Sequence, residues 1–136
     1  MNNKKIKFGI IGLGYFGKHY LRILNSHPDV QLVAVADHSF KNIKTQKVKI
    51  SQHIKVFSEG IDLLNLSEVE AVVIATPLET HFKLTQRALQ KGKQVLLEKP
   101  LAVNMADARV LEKEVKRSGK TFMLGHQYVY NDFIKY

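Results

Sequence analysis

Three glycines spaced Gly-x-Gly-x-x-Gly, at Gly12, Gly14 and Gly17, constrain this chain more than any other feature. The apolar run 6–11 leads straight into them, and Phe16, Tyr20 and Ile23 recur after them at helical spacing. A strand that turns directly into a helix needs each glycine for a different reason. Gly12 permits the tight turn, Gly14 lets an anionic group approach the backbone, and Gly17 lets the helix pack on its own strand. Free N–H groups at the helix start, aided by the helix dipole, then face that anion.

Asp37 lies twenty residues past Gly17, at the end of a second apolar run. An acid in that place accepts hydrogen bonds from the two hydroxyls of an adenosine ribose. The pattern predicts a dinucleotide site, with Tyr15 and Phe16 between the glycines also touching the ligand. A carboxylate at Asp37 repels the extra phosphate of NADP, so NAD is the expected cofactor. His38 and Lys41 nearby keep an NADP site open.

Further along, apolar runs alternate with helical patterns. Strands are expected at 5–11, 30–36, 53–57, 70–75, 94–97 and 121–125, and helices at about 15–25, from about 39, after a Ser58 cap, at 79–91 and after an Asn104 cap. Gly92 and Gly119 are placed to end the last two helices. Strands that alternate with crossover helices make a parallel sheet. The expected fold is therefore α/β, a doubly wound six-stranded parallel sheet of Rossmann type, in order 3-2-1-4-5-6. Such sheets bind ligands beyond the carboxyl ends of their strands. Gly12–Gly17, Asp37, Thr76-Pro77, Glu98-Lys99-Pro100 and His126 all fall at those ends.

Composition removes other classes. The 136 residues contain no cysteine, which excludes disulfides, thiol catalysis and thiolate metal sites. No apolar run approaches the roughly 18–20 residues of a membrane helix. The basic start is followed by a short strand-like run, unlike a signal peptide, so a cytoplasmic protein is expected. Residues 1–57 carry ten Lys or Arg against two Asp. Lys41, Lys44 and Lys47 read as a solvated helix face, since no aromatic-interleaved basic motif points to nucleic acid. Gly12 to Lys18 also fits the opening of a phosphate-binding P-loop, but His19 stands where the magnesium-binding Ser or Thr belongs. None of the six histidines forms a recognised metal spacing, so no metal is expected. His81 and His126 follow strand ends and are placed to line the crevice.

Glu98-Lys99-Pro100 sets an acid and a base at a strand tip. An ammonium there can donate to a substrate hydroxyl or help move its proton. Taken alone, the triplet also fits an ordinary surface turn. The Lys99-Pro100 peptide is expected to be cis.

In order along the chain, Gly-Leu-Gly-Tyr-Phe-Gly, Asp37, Ala-Thr-Pro with His81, Glu-Lys-Pro-Leu-Ala and Gly-His-Gln-Tyr-Val-Tyr-Asn resemble the Gfo/Idh/MocA oxidoreductases. The resemblance implies NAD(P)-dependent hydride transfer at a secondary alcohol or ketone carbon of a sugar, nucleotide sugar or polyol. It implies pyrophosphate binding by Gly12, Gly14 and Gly17, and ribose binding by Asp37. Thr76, Pro77 and His81 would sit by the cofactor, Glu98 near the nicotinamide ribose, and Lys99 against nicotinamide and substrate as the catalytic residue. Members of that family continue into a second α/β domain that supplies substrate contacts and usually a homo-oligomer interface. Residues 1–126 are accordingly expected to be the dinucleotide-binding domain, and 127–136 the start of a connection to a substrate domain absent from this chain. A stand-alone NAD-sensing module is the alternative, although it has no need of Glu98-Lys99-Pro100.

Overall fold

The computed structural model describes residues 4–39, 44 and 50–130. Six parallel strands form one sheet: β1 (Ile6–Ile11), β2 (Val30–Ala36), β3 (Lys55–Phe57), β4 (Ala71–Ile74), β5 (Gln94–Leu97) and β6 (Phe122–Leu124). Their order is β3-β2-β1-β4-β5-β6, as the alternating pattern predicts. The strand order switches between β1 and β4, with β2 and β3 laid down on one side and β4 to β6 on the other, and this switch point opens the crevice expected of the topology. β3 is shorter than its apolar run, and His53 belongs to the turn before it. The polar helix expected from about position 39 lies, apart from Ser39 and Lys44, outside the described residues.

Helix α1 (Tyr15–Ser26) turns Gly17, Leu21 and Leu24 inward, an i, i+4, i+7 stripe. Its stripe meets Ile10, Leu32, Val35 and Val73 on one face of the sheet. Helices α2 (Gly60–Leu64), α3 (His81–Gln90) and α4 (Met105–Ser118) follow the later strands. Leu63 and Leu64 of α2 and Ala88 and Leu89 of α3 join Val72, Ile74, Val95 and Leu97 in a second apolar layer. β4 is buried at every residue, which is why its sequence is apolar without alternation.

The helix ends follow local chemistry, with one exception. Asn104 caps α4 by accepting from the Asp107 N–H at 2.8 Å, and Gly119 ends that helix at φ +63°. Ser58, by contrast, does not cap α2: Glu59 holds that place without a side-chain cap bond. The segment expected to be helical from position 79 begins as a 3-10 turn at Leu78–Thr80.

At the amino end of the sheet, Lys93 is buried and donates to the carbonyls of Leu66 and Val69, both at 2.7 Å. Among the described residues, no helix is long and apolar enough to cross a membrane.

Candidate cofactor site

β1 delivers the glycine loop to the carboxyl edge of the sheet. Gly12 has φ +92°, and its N–H donates to the Ala36 carbonyl at 2.8 Å, so the turn is stitched to β2. A Cβ on Gly17 would collide with the carbonyl oxygen of Gly12, which explains the third glycine by backbone packing. A Cβ on Gly14 would meet nothing within 4 Å. That open space stands at the N-cap of α1, where no side chain caps the helix and the first turn holds no acid. A helix start with neither cap nor carboxylate suits an anionic ligand, and the space over Gly14 fits a pyrophosphate.

Asp37, at the tip of β2, is held from both sides. One carboxylate oxygen accepts from the Leu13 N–H and the other from the Ser39 N–H, each at 2.7 Å. The acid therefore braces the glycine loop as well as facing the cavity. Each oxygen retains a lone pair with which to accept from a ribose hydroxyl.

A cavity of about 630 Å³ joins these groups. Gly12, Gly14, Tyr15, Phe16, Asp37, Thr76 and Pro77 line it, which brings seven of the expected site residues together. Gly17 lies buried beneath the loop. His81, Glu98 and Lys99 do not line the cavity.

His81 is buried to 1% exposure, with Nδ1 2.8 Å from the Pro100 carbonyl and Nε2 2.9 Å from the Thr76 carbonyl. Its ring ties the β4 tip to the β5 tip from behind, where it braces the wall. The hydroxyl of Thr80 donates to the Pro77 carbonyl at 2.7 Å, so the Thr76 hydroxyl donates to Thr80 at 2.6 Å. His126 is exposed, outside the cavity.

Glu98 is buried to 3% exposure and accepts from the Tyr20 hydroxyl at 2.5 Å. Burial, and then the Glu98 carboxylate, push the Tyr20 phenol well above the ordinary tyrosine range, so it stays a donor. Lys99 is exposed, with its ammonium 5.8 Å from the centre of the Phe16 ring. The Lys99-Pro100 peptide is cis, as expected.

Several lining residues carry no local sequence signal. Glu59 from the start of α2 and Lys83 from α3 face the cavity, and the Glu59 carboxylate meets His38 Nδ1 at 3.1 Å. His38 is thus engaged with an acid, and Lys41 lies outside the described residues. Only the topology brings α2 and α3 to this edge; their own residues read as ordinary helix surface.

A family model described as an oxidoreductase family with an NAD-binding Rossmann fold matches residues 6–126. An inositol 2-dehydrogenase of Salmonella typhimurium is 36% identical over 122 residues, covering 88% of this chain and 36% of that protein. A 2,7-anhydro-N-acetylneuraminate hydratase of Escherichia coli is 32% identical, over 89% of this chain and 32% of its own length. The crystal structure of scyllo-inositol dehydrogenase from Lactobacillus casei with bound NAD(H) and scyllo-inositol superposes with a TM-score of 0.85. That structure is 27% identical and covers 95% of this chain and 38% of its own. The chain spans about a third of the length of the curated relatives it matches. The chain belongs to the Gfo/Idh/MocA oxidoreductase family, and the match falls on that family's NAD-binding Rossmann-fold domain.

Proposed function

We propose that residues 1–126 are the cofactor domain of an oxidoreductase that moves hydride to or from a secondary alcohol or ketone carbon of a sugar, nucleotide sugar or polyol. NAD is the preferred cofactor. The observation that carries this reading is the uncapped start of α1, opening over Gly14 into the same cavity that Asp37 faces. Bound there, the nicotinamide supplies the hydride acceptor or donor. The chain's own residues bind and orient. The α1 N–H groups hold the pyrophosphate, Asp37 accepts from the adenosine ribose, and Thr76 and Pro77 border the path toward the β5 tip. Lys99, exposed at that tip, donates from its ammonium to a substrate hydroxyl. The inositol dehydrogenases among the relatives support a polyol as substrate class. A module that only senses NAD has no use for an exposed ammonium beside the nicotinamide end.

Asp37 and Glu59 both present carboxylates at the adenosine end. Binding of NADPH therefore sets like charges against each other. Fluorescence titration of the chain with both reduced cofactors tests this, with NADH expected to bind more tightly. Equal or tighter NADPH binding would overturn the role given to Asp37.

A further inference from the structure

Glu98 and Lys99 stand side by side at a strand tip, yet their side chains do not pair. Successive side chains of a strand leave opposite faces of the sheet. Glu98 continues the face of Leu96, which belongs to the layer under α1. Its Oε1 accepts from the Tyr20 hydroxyl at 2.5 Å, and its Oε2 accepts from the Lys99 N–H at 3.2 Å. Gly125, just past β6, leaves the room this requires, since a Cβ there would stand 3.2 Å from Oε1. The carboxylate is thus boxed between α1, the β6 tip and its own backbone. Among the described residues, no carboxylate lies within 4 Å of the Lys99 ammonium. The ammonium rests instead over Phe16, whose ring also lines the cavity. Phe16 and Tyr20 stand four residues apart, one above the other on the same side of α1.

We propose that Tyr20 is a positioning residue for Lys99: its phenol holds the Glu98 carboxylate away, so that the ammonium stands unpaired on the Phe16 ring at the nicotinamide end of the cleft. One helix then serves both ends of the ligand. Its start receives the pyrophosphate, and its next turn keeps the base of the β5 tip available to a hydroxyl. A Glu98 released from Tyr20 is one residue from Lys99 and would neutralise it.

The inference rests on the cofactor reading above, and the experiment separates the two. The oxidised nicotinamide ring is a cation and the reduced ring is neutral, so an unpaired ammonium beside it disfavours NAD⁺ relative to NADH. Dissociation constants for NAD⁺, NADH and ADP-ribose, which lacks the nicotinamide, are measured for the chain, Tyr20→Phe, Glu98→Gln and the double variant. Tyr20→Phe is expected to shift the NAD⁺ to NADH preference toward NAD⁺ by about threefold to tenfold, the scale of a charge interaction near a protein surface. ADP-ribose binding should hold. In the Glu98→Gln background, the added Tyr20→Phe should leave the preference where Glu98→Gln put it. An unchanged preference in Tyr20→Phe, or a shift that persists without the Glu98 carboxylate, would overturn the proposal. So would loss of ADP-ribose binding in Tyr20→Phe, which would mean that the phenol serves the fold rather than Lys99. Failure of the unaltered chain to bind ADP-ribose would overturn the cofactor reading itself, and this inference with it.

Discussion

The two longest described helices, α1 and α4, begin in opposite ways. At α4, Asn104 accepts from the Asp107 N–H and donates back to the Asp107 carboxylate at 3.0 Å, so the first turn closes on itself. At α1, a glycine stands at the N-cap, no side chain caps it and no acid occupies the first turn. Every helix start leaves N–H groups without intrahelical partners. One helix settles them within the chain, while the other leaves them without a side-chain cap, facing the cavity. On the proposed function, the difference separates a helix start that serves stability from one that serves binding, although both lie at the same edge of the sheet.

Glycine substitutions at α1 break this comparison most forcefully. In Gly17→Ala the new Cβ meets the Gly12 carbonyl oxygen, and neither backbone can yield without unpacking α1 from β1. A loss above about 4 kcal/mol is expected, enough to unfold a marginal domain. Gly14→Ala has open space around it and should cost at most about 1 kcal/mol. Its NADH affinity should nevertheless fall about tenfold or more, because the Cβ would enter the space proposed for the pyrophosphate. Urea unfolding and cofactor titration of both variants check the split. A Gly14→Ala protein that binds NADH normally would mean that the open start is only an unfilled cap.

Tyr15→Glu sharpens the same point. Tyr15 is 71% exposed in the first turn of α1, so a carboxylate fits there and complements the dipole by about 0.3–1 kcal/mol. The same charge faces the bound pyrophosphate and should weaken NADH binding about tenfold. Stability and affinity should therefore move in opposite directions. Parallel movement of thermal midpoint and NADH affinity would contradict the assignment of α1 as the anion-binding helix.

What was legible in advance follows from how local each cause is. The glycine loop is written in a few adjacent residues, because backbone sterics act between near neighbours. The strands were legible because both faces of the sheet are covered, so each reads as an apolar run. Asp37 could be placed because a β-α-β unit has a nearly fixed length. Ser58 misled because cap preference is weak against the chain path set by β3 and α2 packing. Tyr20 and Glu98 are 78 residues apart, and nothing local in either marks the other. Position after the β4 tip places His81 to line the crevice, and the family resemblance implies a place beside the cofactor. The carbonyls of Thr76 and Pro100 turn it inward, and both are backbone atoms that a sequence does not distinguish.

At α4 the expected effects are smaller and confined to stability. Asn104→Ala removes the cap bond to Asp107 and should cost about 1 kcal/mol in urea unfolding. NADH affinity should not change, since Asn104 does not line the cavity. A loss of affinity in Asn104→Ala would join the two helix starts into one functional unit and end the distinction.

The smallest effect appears only away from neutral pH, and its sign differs between the helices. On α4, the hydrogen bond from Lys116, and then its charge, hold the Glu112 carboxyl below the ordinary value of 4.5. A lowered carboxylate contributes stability that is present above the unfolded value and lost as pH falls through the folded one. The pair is exposed on both sides, so that loss is slight. On α1, burial first, and then the bond to Glu98 and its charge, raise the Tyr20 phenol above the ordinary value of 10.0. A raised phenol contributes stability that is fully present below the unfolded value and lost as pH climbs toward the folded one. Tyr20 should therefore leave neutral and acid stability untouched and weaken the fold only above about pH 10. Buried Lys93, lowered by burial and then by Lys91, changes stability with the opposite sign in the alkaline range. The difference between the chain and Tyr20→Phe cancels that contribution and isolates the phenol. Urea midpoints followed between about pH 8 and pH 11 should show an alkaline loss of stability that is absent from Tyr20→Phe. An alkaline loss of equal size in both proteins would remove Tyr20 as the link between α1 and the β5 tip.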